Sequence, residues 1–97
     1  MTQGPASEER SQGGFEGHIP PVEPLLTEVI VTLSLAAHAY LTNQDERAVD
    51  LPAAEIAIDV AAAAFDRVKE RLSPDQRLAI TQMLTETRMT FVRKRDA

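Results

Sequence analysis

Between Leu25 and Leu41 apolar side chains return every three or four residues: Leu25, Leu26, Val29, Ile30, Leu33, Ala36, Ala37, Tyr40 and Leu41. That period predicts a first helix over Glu23–Thr42 with one wide apolar arc. Pro24 falls in its first turn, where proline is tolerated. Val31 and Leu35 lie off the arc, among Thr27, Glu28, Thr32 and His38, and form a second, smaller patch. A helix that is apolar on two sides requires burial on two sides.

A polar connector, Asn43–Val49, separates this helix from the next. Asp50 is placed to cap a second helix, with Pro52 in its first turn, and the pattern carries that helix to about Leu72. Its core face is Ala54, Ala57, Ile58, Ala61, Phe65, Val68 and Leu72. The alanines let a neighbouring backbone approach closely. The next helix begins almost at once. Ser73 is a cap, Pro74 suits the first helical position, and Gln76 stands where it can close a capping box. Ile80, Leu84, Thr87 and Phe91 make one strip of this third helix. Leu78, Thr85, Met89 and Val92 make another on nearly the opposite side. Arg93, Lys94 and Arg95 end it, where positive charge complements the helix dipole.

These patterns predict an all-α protein: a three-helix module, made of a long first helix and a helical hairpin, with a disordered N-terminal tail. Residues 1–21 form the acidic, Gly/Pro-rich tail and residues 22–97 the helical domain. The two-sided patterns on the first and third helices call for more than an intrachain bundle. A homodimeric helical bundle is the expected assembly, its spare patches meeting across a two-fold axis. Leu25, Val29, Val31, Leu35, Tyr40, Met89 and Val92 are the expected interface residues.

Composition narrows the picture. The 97 residues suffice for one domain and include no cysteine, so stability must come from packing or self-association. The net charge is −5, which disfavours nucleic-acid binding, where positive charge is needed. The N-terminus is polar and carries no basic region followed by an apolar one, so the expected setting is cytoplasmic. Glu28, Ser34 and His38 interrupt the apolar run of the first helix and argue against a membrane span.

Candidate chemistry is sparse. Glu55, Asp59, Asp66 and Glu70 share one side of the second helix. No Glu-x-x-His pairing accompanies them, and nearby Arg67, Lys69 and Arg71 mark a solvated face. Nothing at ligand spacing accompanies His18 or His38, so no metal or other cofactor is expected. Were His38 buried between subunits, its titration would tune assembly near neutral pH. Ser34 and Ser73 lack a partner histidine, and no glycine-rich loop precedes a helix, so the chain reads as non-enzymatic. Arg88 projects between the two strips of the third helix and needs a partner if both are buried. Within the chain Asp59 is the candidate for a structural ion pair, with Glu55 beside it, and another subunit is the alternative source of the partner; Arg88→Met is expected to leave an acid unpaired and destabilise the module.

Asp50-Leu51, Ala54, Ile58-Asp59, Leu72-Ser73 and Arg88-Met89-Thr90-Phe91-Val92 resemble a family of small bacterial helical proteins catalogued as domain of unknown function 1844. Leu33-Ser34-Leu35 with Ala39 and Tyr40 is similar to that family's first helix. The resemblance spans residues 25–93 and implies a compact helical protein of the bacterial cytoplasm, with no activity attached. Two features depart from it. Leu41 runs into Thr42-Asn43 where the family has a glycine. Arg67-Val68-Lys69-Glu70-Arg71-Leu72 replaces a Lys-Thr-x-Gly-Asn-Leu approach, which extends the second helix and tightens the corner after it.

The resulting expectation is a protein-interaction and oligomerisation module with an unidentified protein partner. A first rival is a small-ligand pocket or accessory subunit of an enzyme, using His38, Tyr40 and Arg88. A second is an RNA or DNA accessory protein using Arg93, Lys94 and Arg95.

Overall fold

A computed structural model of the chain describes residues 19–43 and 48–97. The predicted tail falls outside the described residues up to position 18, and the connector does so at positions 44–47. The described residues form three α-helices and no strand. Helix α1 is Val22–Tyr40, α2 is Leu51–Val68 and α3 is Pro74–Arg95.

Local chemistry sets the boundaries. Helix α2 begins where the Asp50 carboxylate accepts from the Ala53 N–H at 3.1 Å. That bond satisfies one of the amide donors left over at a helix start. Helix α3 begins with a complete capping box: Gln76 N–H donates to Ser73 Oγ at 3.2 Å, and Ser73 N–H to Gln76 Oε1 at 3.0 Å. Two ends differ from the sequence expectation. Helix α1 stops at Tyr40, and the Thr42 hydroxyl turns back to the His38 carbonyl at 2.8 Å. Helix α2 stops at Val68, and a single 3-10 turn, Lys69–Arg71, carries the chain to an extended Leu72. Arg77 Nη1 donates to the Lys69 carbonyl at 3.1 Å, holding this tighter turn against the start of α3.

Helices α1 and α2 run antiparallel and are tied at both ends. At one end Arg71 Nε donates to Glu23 Oε2 at 2.8 Å, and at the other the Asp50 N–H donates to the Tyr40 carbonyl at 2.8 Å. Between the ties the contact is made of small residues: Ala37, Ala54 and Ala61 are fully buried and Ala57 nearly so. Helix α3 closes one side of this pair. Ile30, Ala61, Val68, Leu72 and Ile80 form one half of the core; Ala37, Leu41, Ala54, Ala57, Ile58 and Phe91 form the other. Leu33 packs against both halves.

The core stripe of α1 is Ile30, Ser34 and Ala37, continued by Leu41 just past the helix end, at spacings of four, three and four residues. It is rotated to one edge of the arc that the sequence suggested. Leu25, Val29 and Tyr40, on the other edge, are each at least 40% exposed. Ser34 does not interrupt the buried surface; it lies within it. Helix α1 is also long and apolar enough, by length and composition, to cross a membrane.

Candidate interaction surface

The seven expected interface residues are all solvent-facing, and they divide into three patches. Val31 and Leu35 lie on the side of α1 turned away from α2, Leu35 at 66% exposure. Met89 and Val92 lie on the outer side of α3, where they line a shallow apolar depression between Arg88 and Arg93. Leu25, Val29 and Tyr40 belong to a third and larger surface.

This third surface is the side of the α1/α2 pair opposite α3. One depression along it is lined by Leu25, Glu28, Val29, Thr32 and Leu33. A second, of about 230 Å³, lies between Tyr40 and Ala36 of α1 and Ala53 and Ile56 of α2. Leu33 borders both, so the surface is continuous along the helices. Ile56 (65% exposed) and Val60 (48%) extend it over α2. These two residues were not among the expected contacts. Their four-residue separation, with Ala53, Ala63 and Ala64 on the same side, is a second apolar stripe beside the core stripe of α2. The signal was in the sequence, overshadowed by the alanine-rich core face.

The expected ion pair is present at the surface. Arg88 Nη2 lies 3.4 Å from Asp59 Oδ1, with the two side chains 49% and 61% exposed. The strip beside Arg88 that contains Met89 is open to solvent, so the guanidinium is not trapped between buried flanks as the sequence suggested. The rest of the acidic face of α2 is solvated, and Asp66 pairs locally with Lys69 at 3.3 Å. Among the described residues no group of acidic and histidine side chains is arranged to hold a metal ion.

The three polar groups of the ligand-pocket reading do not converge. Tyr40 borders the α1/α2 surface, Arg88 pairs with Asp59, and His38 turns toward α3. His38 Nε2 lies 3.1 Å from Thr87 Oγ1, which itself donates to the Met83 carbonyl at 2.8 Å. With the one hydroxyl proton given to the Met83 carbonyl, the Thr87 oxygen is left to accept from the His38 tautomer that carries its hydrogen on Nε2. His38 therefore joins two helices of its own chain. Two of the three bases at the α3 terminus are engaged, while Lys94 is exposed. Arg95 pairs with Asp96 at 3.0 Å, which raises the guanidinium pKa, and its charge lies 5.8 Å from the Phe91 ring centroid. Arg93 donates to Thr90 Oγ1 at 3.2 Å.

Comparison of the chain with protein-family models, with curated proteins and with solved structures returned no match.

Proposed function

We propose that the protein is a non-enzymatic helical interaction and oligomerisation module of the bacterial cytoplasm that acts by laying the open α1/α2 surface against another protein chain. One observation carries this reading: Leu25, Val29, Tyr40, Ile56 and Val60, each 40–65% exposed, share one continuous surface. Bulky apolar residues scattered singly need no explanation, whereas a contiguous patch of them marks a contact site. The dispersal of His38, Tyr40 and Arg88 supports binding over a ligand pocket. The engagement of Arg95 by Asp96 and Phe91 supports it over nucleic-acid contact.

The apolarity of α1 also raises a membrane as its surroundings. Against this stand its buried Ile30–Ser34–Ala37–Leu41 stripe and its pairing with α2, whose far side carries Glu55, Asp59 and Asp66. A bilayer offers such carboxylates no partner.

The test is a photoreactive amino acid in place of Ile56 in the full chain, irradiated in the cells that make it. Covalent adducts to protein are expected. Adducts to lipid alone, or none, overturn the reading.

A further inference from the structure

Resting on that reading, we infer that the occupant of the α1/α2 surface is a second copy of this chain, packed about a two-fold axis parallel to the helices. The four helices of two α1/α2 pairs then form the centre, and each copy's α3 lies outside.

Size is the first argument. Helices of 19 and 18 residues are roughly 28 Å long and about 10 Å wide each, so the pair presents about 560 Å² in projection. A ridged surface has more accessible area than its projection, which brings it toward the ~800 Å² per partner of a stable interface. A lone helix laid in the groove would leave Ile56 and Leu25 on the margins uncovered. A two-helix surface is the shape that covers both.

Charge is the second argument, and it selects the axis. Glu28 borders the outer edge of α1 beside Leu25 and Val29. Arg67 follows Val60 at seven residues and falls on the outer side of α2. Neither has an ion-pair partner among the described residues. The Glu23–Arg71 bond aligns the start of α1 with the end of α2. Glu28 is then roughly 7 Å along α1 from that tie and Arg67 roughly 7 Å from it along the 3-10 turn and the end of α2, which sets them at one level on opposite margins. Within one copy they cannot meet. A two-fold axis parallel to the helices lays α1 of one copy on α2 of the other, same end to same end, and brings Glu28 of each to Arg67 of its mate twice over. The perpendicular two-fold would set Glu28 against the opposite end and leave both charges without a mate.

Side-chain volume agrees with that axis. Val29 of one copy falls over Ala63 and Ala64 of the other, and Ile56 falls over Ala36 and Ala39, so large groups meet small ones.

Sedimentation of the full chain tests this. A dimer is expected at micromolar concentration, and Val60→Glu should yield a monomer with an unchanged circular dichroism spectrum, since Val60 is exposed in the single copy. Glu28→Arg or Arg67→Glu alone should weaken the dimer about tenfold, because each removes two symmetric pairs and adds repulsion. The double reversal should restore it. A monomer at all concentrations, a dimer indifferent to Val60→Glu, or single reversals that the double does not rescue would overturn the inference. If the chain is monomeric yet the Ile56 photoadduct with another protein persists, the second copy is refuted and the interaction reading stands. If both disappear, both are refuted.

Discussion

At Ser34 the chain carries a hydroxyl into its core. The residue is 1% exposed, and among the described residues Oγ has no hydrogen-bond partner. An unsatisfied buried hydroxyl is unfavourable, and alanine is the better helix former. Ser34→Ala should therefore stabilise the fold by up to about 1 kcal/mol, read as a higher urea midpoint at unchanged slope. Thr87, the other fully buried polar residue, is the opposite case: it bonds both Met83 and His38, and it joins α1 to α3. Arg88 shows how exposure changes an expectation. With both partners near half exposed or more, solvent screens the pair with Asp59, and Arg88→Met should shift stability by less than about 0.5 kcal/mol. A loss of several kcal/mol in chemical denaturation would show that Arg88 is covered in solution.

At the scale of the helices, what was legible in the sequence was local chemistry. Asp50, Ser73, Pro74 and Gln76 announced the starts of α2 and α3 because caps are written within three or four residues. The core face of α2 was equally plain, since its polar residues define the other side. Helix α1 was harder. Apolar residues occupy most of its circumference, so periodicity alone could not say which edge of the arc meets α2, and Ser34 looked like a break where it is a core position. The 3-10 turn after Val68 is braced by a bond from Arg77 to Lys69, eight residues apart, and nothing adjacent in the sequence marks it. Two predictions belong here. Ala61 is fully buried in the core, so Ala61→Leu should destabilise by about 1–3 kcal/mol through overpacking, measured by chemical denaturation. The tie at the start of α1 is pH-dependent. Arg71, by its hydrogen bond first, holds the Glu23 carboxyl below its ordinary value of 4.5. A carboxylate with a lowered folded pKa contributes stability above its unfolded value and loses it as pH falls through the folded one. The advantage of wild type over Glu23→Gln in Tm should thus be present at neutral pH and vanish on acidification through the carboxylate range.

The molecule as a whole joins a well-packed half to an open one. Among the described residues the core lies between α1 and α2 and under α3, where Ile30, Ile58 and Val68 are fully buried; the outer side of α1 and α2 leaves Leu25, Val29, Tyr40, Ile56 and Val60 to water. A small domain without disulfides that leaves this much apolar surface uncovered has little stability of its own to spare. If a second copy supplies the cover, folding and association are linked, and the thermal midpoint depends on protein concentration. A tenfold dilution removes about 1.4 kcal/mol from a dimer that unfolds to two chains. With an unfolding entropy near 2.1 cal/mol/K per residue over the described residues of both chains, the midpoint should fall by roughly 4 °C for each tenfold dilution. Val60→Glu should remove that dependence while lowering the midpoint at high concentration only. Two copies joined only through the separate Met89/Val92 patch would give a concentration dependence that survives Val60→Glu and is lost on Met89→Glu. The pair of variants therefore assigns the contact to one side of the molecule, using nothing more than a melting curve at two dilutions.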